Sequence, residues 1–175
     1  MALIIDAHRR NRFLTLADLR EVKAKMVRYM AEEKDVRGYV GEKGWAYSTA
    51  HAADVLGELA KCEELADKQD LLDILNAIRE KVIINNYIYI HKEDERLARA
   101  VVGILGRSIL DQQAIAGWLE RFGEIQKSGS HPEDDYLRNN VKMFLRSLYF
   151  RLPPDGDEGQ IRPLIESVLQ KLSKF

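Results

Sequence analysis

The chain has 175 residues, with 27 Lys plus Arg against 28 Asp plus Glu and a single Cys. A chain of this length buries roughly 70% of its unfolded-state surface and needs no disulfide or metal to hold it together; one thiol forms no internal bridge, which fits a reducing, cytoplasmic setting. Near-zero net charge argues against a dedicated nucleic-acid binder, and the apolar opening at residues 2–5 is too short for a secretory leader or a membrane span.

Residues 3–11 (LIIDAHRRN) read as the second helix of a pair whose first helix is absent. The chain, a single helical-repeat domain over 1–175, is therefore expected to be the C-terminal part of a longer architecture. Its uncapped N-terminal end should favour self-association, so a homo-oligomer is among the expected partners. From residue 16, Leu16, Leu19, Val22, Met26 and Met30 recur every three or four positions, which sets them on one helical face. Thr15 caps that helix, and Asp18 meets the positive end of its dipole. Residues 34–44 (KDVRGYVGEKG) hold three glycines and no period, and read as a loop.

The next helix is predicted over 45–61, with Trp45, Ala52, Leu56 and Leu59 turned to the core and Trp45 anchoring the start. Asp67, with Asp70 three residues on, opens another helix carrying Leu71, Leu75, Ile78 and Val82. The stretch 82–90 (VIINNYIYI) has β-branched and aromatic residues that suit a strand, yet a lone short strand finds no partner elsewhere in the chain. It reads as a helix end followed by a buried loop. Helices are then expected over 93–109, 112–125 (capped by Asp111) and 134–151, with a turn at 153–159 and a last helix over 160–173.

Helix, loop, second helix recurs three times, the second members opening near Trp45, Glu93 and Asp134. Their spacing of roughly 40–50 residues lies in the range of HEAT and armadillo units. The expected fold is all-α, a HEAT/armadillo-like α-solenoid of about three helix pairs plus a C-terminal helix; a generic helical bundle is the competing arrangement.

On the helix after Trp45, the residues Tyr47, His51, Asp54 and Glu58 form one narrow polar stripe beside the small residues Ala46, Ala50, Ala53 and Gly57. The corresponding stripes on the later second members are Arg96, Arg99, Gly103 and Arg107, then Asp135, Arg138, Lys142 and Arg146. If these line a concave face, an acidic, histidine-bearing stripe sits beside two basic ones, where such folds bind their partners. The bland reading is a local His–Asp pair and interhelix salt bridges. In the cluster His91, Glu93 and Asp94 (in HKEDER) the acids open a helix, and they read first as capping it or pairing with Arg96.

No Walker A loop, GxGxxG, GxSxG or HExxH occurs, and no second His or Cys stands at metal-ligand spacing, so neither a metal nor a cofactor is expected. Cys62 sits beside Glu63, whose charge raises a thiol pKa, so covalent catalysis is not expected either.

The segment Asp35 to Asp54 (DVRGYVGEKGWAYSTAHAAD), followed by Glu93-Asp94-Glu95-Arg96-Leu97-Ala98, resembles a bacterial domain-of-unknown-function family found largely in bacilli and their relatives. That family's hallmark is an RGY loop, then GWxHxxAHxAD, then EDxRLA. The resemblance implies helical proteins, longer at the N-terminus, with no established activity. Tyr47 stands where the hallmark has its first His, so a two-histidine metal site built on that motif would be incomplete here.

The expected role is binding of a protein or a small polar ligand, with Glu42, Trp45, Tyr47, His51, Asp54, Asp94 and Arg96 as candidate contacts. The alternative is a hydrolase-type or metal-dependent enzyme using His51 and Asp54 with Glu42 or Asp94. A third reading, phosphate binding along Arg96, Arg107, Arg138 and Arg146, predicts affinity that falls steeply with salt.

Overall fold

A computed structural model describes residues 1–154 and 161–173. Among these residues the chain forms eight α-helices: α1 (Ala2–Arg10), α2 (Leu16–Glu32), α3 (Ser48–Ala60), α4 (Lys68–Val82), α5 (Glu93–Leu105), α6 (Gln112–Glu120), α7 (Glu133–Arg151) and α8 (Arg162–Ser173). Extended pairing among them is limited to one antiparallel bridge, Tyr39 with Trp45. The all-α class expected from periodicity is observed. The turn expected at 153–159 falls mostly outside the described residues.

The helix starts follow local chemistry. At α2 the Thr15 side chain accepts from the Asp18 amide while Asp18 accepts from the Thr15 amide, a complete capping box. Asp67 and Asp111 cap α4 and α6 by accepting from the amides of Gln69 and Ala114.

Two expected boundaries are corrected. Gly44 and Tyr47 both take positive φ, 79° and 53°, so the chain cannot be helical through 45–47 and α3 begins at Ser48. The helix expected to run to Ile109 stops at Leu105 because Ser108 also adopts the left-handed region. The loop after α4 contains no strand, as expected, and Asn140 of α7 holds it. Its amide donates to the carbonyls of Ile84 and Tyr87, and its oxygen accepts from the Tyr89 amide.

Helices α1, α3, α5 and α7 form a row in which each packs on the next, while α2 packs on α3 and α4, and α8 closes on α6 and α7. At Gly57 an added Cβ would sit 3.3 Å from Ala100, so the small-residue face does let α3 and α5 approach closely. The core between the elements is aliphatic and aromatic, with Leu56, Leu59, Leu71, Ile74, Leu75, Leu97, Phe122 and Phe144 fully buried. Each such side chain contributes roughly 1.5–3 kcal/mol by leaving water. Lys23 ties α2 to α4 through Asp70 (2.7 Å) and Asp73 (2.6 Å). Arg107 folds back over the end of α3, its guanidinium donating to the carbonyls of Ala60, Cys62 and Leu65 at 2.7–2.9 Å.

Candidate functional site

The glycine-rich loop before α3 doubles back on itself. Val40 donates to the Gly44 carbonyl, Ala46 to that of Gly38 and Tyr47 to that of Arg37. This places Trp45 on the surface at 59% exposure, beside Tyr39 at 49%, which corrects the expectation that Trp45 is a core anchor. The indole packs on the rings of Tyr39 (5.2 Å between centroids), Tyr47 (4.9 Å) and His91 (5.5 Å). Tyr47 donates its hydroxyl to the His91 carbonyl, touches the His51 ring at 5.8 Å, and lies under the Arg96 guanidinium at 6.0 Å. Burial, then the nearby Glu93 charge, push the Tyr47 hydroxyl pKa up, so it remains a neutral donor.

Asp54 is the hub of the polar stripe. It accepts from Arg96 at 2.6 Å and from Arg99, joining α3 to α5. His51, one turn earlier, is exposed. Beside these residues opens a cleft of about 740 Å³ bounded by the start of α1, the second half of α2 and the first two turns of α3. Met26, Ala52 and Val55 contribute apolar lining, while Lys25, His51, Asp54 and Arg96 stand around it.

Of the seven candidate contacts, Trp45, Tyr47, His51, Asp54 and Arg96 thus form one connected surface. Glu42 lies apart on an exposed 3-10 turn (Gly41–Lys43). Asp94 is buried and accepts from the Ser147 hydroxyl of α7, away from the cleft. Of the arginines in the predicted phosphate track, Arg96 is held by Asp54 and Arg107 by backbone carbonyls.

Under the aromatic group, Glu93 is fully buried and accepts from the His91 amide at 2.8 Å, while its second oxygen has no hydrogen-bond partner. His91 Nδ1 stands 3.9 Å from that oxygen. Gly38 closes over the pair: a Cβ there would lie 2.5 Å from His91 Nδ1 and 2.6 Å from the Glu93 oxygen. The glycine is required by this close approach, and no space for a ligand is left between the two groups.

A second histidine cluster was not visible in the sequence, because His8 lies more than fifty residues before Cys62 and Glu64 and the three match no ligand spacing. The ligand atoms of His8, Cys62 and Glu64 fall within 4.8 Å of one another, the arrangement of a metal site. The hydrogen bonds decide otherwise. His8 Nδ1 accepts from the amides of Phe13 (3.1 Å) and Leu14 (3.0 Å), so the ring proton sits on Nε2, the nitrogen a metal would need, and faces Glu64 at 3.5 Å. Burial and then the Glu64 charge push the Cys62 thiol up to about 11, which keeps it protonated. This cluster closes the α1–α2 turn against the end of α3.

Fold and site together define an all-helical protein with an open, aromatic-flanked cleft and, among the described residues, ionisable groups that are mostly tied to one another. The chain belongs to a family of proteins of unknown function, DUF2785, whose model matches residues 1–150. The resemblance to a domain-of-unknown-function family is met on that ground. No curated protein and no solved structure matches the chain. Among the described residues, no helix is long and apolar enough to cross a membrane.

Proposed function

We propose that this chain is a cytoplasmic binding module, a single HEAT-like solenoid domain, that takes a protein or small polar ligand along the surface formed by Trp45, Tyr47, His51, Asp54 and Arg96. The row of α1, α3, α5 and α7 with α2 and α4 packed against it supports the solenoid reading. The observation that carries the functional reading is the Asp54 fork. Its two guanidiniums consume the carboxylate beside His51, so no free base and acid converge on a reacting point, while the neighbouring cleft stays open.

Acrylamide quenching tests this, because Trp45 is exposed and Trp118, at 3%, is shielded. Amino acids, short carboxylates, nucleotides and acidic peptides would be added in turn. Protection of Trp45 by one of these classes, lost in His51→Ala, is the expected result. Protection by none of them overturns the reading, as does hydrolysis of nitrophenyl acetate or nitrophenyl phosphate that disappears in His51→Ala.

A further inference from the structure

Beneath the aromatic surface, His91 and Glu93 face each other with polar atoms that nothing else satisfies. Glu93 is 0% exposed and one of its oxygens has no hydrogen-bond partner; His91 Nδ1, 3.9 Å away, is likewise buried without one. Leaving both unmade is costly in the interior, and one proton held between them satisfies both. Among the described residues no lysine or arginine stands within ion-pair distance of Glu93, so His91 is the side chain placed to neutralise it. The other charges around the ring have partners: Arg37 pairs with Asp35, Arg96 and Arg99 with Asp54, and Glu95 with Arg151. Asp94 accepts from Ser147, Lys92 is exposed to solvent, and the exposed His51 packs on the Tyr47 ring. Burial, and less so the Glu93 charge, push the Tyr47 and Tyr89 hydroxyls up, so both stay neutral.

The pair is joined mechanically to Trp45. Gly38 lies against both groups with no room for a Cβ, and its carbonyl accepts from the amide of Ala46, the neighbour of Trp45. The indole itself rests on the His91 ring at 5.5 Å. Histidine is the side chain whose charge ordinarily changes between about pH 5 and 8. We infer that His91 and Glu93 form a pH-sensitive clasp: protonated, His91 donates from Nδ1 to Glu93 and holds the 37–47 loop closed; neutral, it releases the loop and Trp45. A neutral ring can still donate, but it brings no charge to a carboxylate that water does not reach. A histidine that gains a carboxylate partner on folding contributes stability present at low pH and lost as pH rises through its titration. The aromatic surface is therefore ordered in mild acid and loosened in mild alkali. The clasp rests on the binding-module reading in one respect, that Trp45 belongs to the ligand surface, and names a regulation of that surface.

Acrylamide is uncharged, so its access to Trp45 reports opening of the loop, while Trp118, at 3% exposure, stays shielded. In the full chain the quenching constant is expected to rise about twofold, in a single step, from about pH 5.5 to 8.5. His91→Gln, whose carboxamide can donate at any pH, should flatten that rise. Glu93→Gln, which keeps the shape and removes the charge, should flatten it too. His51→Ala should retain it. If Glu93→Gln does not fold, His91→Gln decides alone, because that side chain is 25% exposed and its replacement meets solvent.

A flat profile in the unmodified chain overturns the clasp, as does a fall with rising pH, a rise that persists in His91→Gln, or one that disappears in His51→Ala. No ligand enters this experiment, so the two failures are distinct. A flat profile removes the clasp and leaves the binding-module reading standing. If the profile holds but no compound protects Trp45, the binding reading falls and the clasp stands as a property of the loop.

Discussion

Two aromatic clusters, similar in composition, sit in opposite environments. Trp118, Phe122 and Phe144 pack edge-to-face and tilted at 5.1–6.3 Å inside the core, and the Trp118 indole donates to the Leu75 carbonyl at 3.0 Å. Tyr39, Trp45, Tyr47 and His91 stack at comparable distances on the surface, over a buried Glu93 and beside an open cleft. Ring contacts of the same geometry therefore hold the fold in one place and shape a surface in the other. The difference is what lies on the far side of the rings, which is packed helices for Trp118 and solvent for Trp45.

That contrast predicts unequal costs for equal deletions. Trp118→Ala should destabilise the chain by about 3–5 kcal/mol in denaturant unfolding, since it empties a core site and removes the indole's bond to the Leu75 carbonyl. A loss under about 1 kcal/mol would mean that the core cluster is not a unit.

Gly38→Ala should come next, at about 1–3 kcal/mol, because the new methyl group overlaps His91 and Glu93 and must push them aside. It should also raise acrylamide access to Trp45 by loosening the rings above. Unchanged stability would show that the loop does not press on the His91–Glu93 pair.

Acid should weaken the join between α2 and α4, which lies outside both clusters. Burial alone would raise the Asp70 carboxyl, but the bonds from Lys23 and Arg20 prevail and hold it below its ordinary value of 3.8. A carboxyl lowered in the folded state contributes stability that is present above its unfolded pKa and lost as pH falls through the folded one. Melting temperature should therefore drop as pH falls below about 4, and Asp70→Asn should flatten that slope while lowering stability at neutral pH. An unchanged slope in the variant would place the acid sensitivity elsewhere.

The smallest effect is expected at Trp45. Trp45→Ala should cost less than about 1 kcal/mol, because most of the indole already faces water. A loss comparable to that of Trp118→Ala would erase the distinction between the two clusters.

Much of the helical framework was legible from short-range pattern. The Leu16-to-Met30 period and the Thr15, Asp67 and Asp111 caps each act within a few residues, so the linear sequence contains the whole interaction. The connected surface was legible in part for the same reason: His51 and Asp54 share a stripe through helical spacing, whereas Tyr47 joins them from the left-handed residue just before the helix. Trp45 was misplaced because its position depends on left-handed backbone at Gly44 and Tyr47 and on a loop fold-back, neither of which leaves a periodic signal. The pairing of Asp54 with Arg99, the turn of Asp94 toward Ser147 and the capping of α3 by Arg107 join residues some forty to fifty positions apart.

By itself, then, the sequence determined the all-helical class, most helix starts and the face each helix offers, because those follow from local propensity, capping and a period of 3.6 residues. Only the tertiary structure decided which charges cancel, which histidine nitrogen carries the proton at His8, and which tryptophan meets water. Those outcomes depend on what each side chain finds across the helix interface, and that neighbour is set by packing.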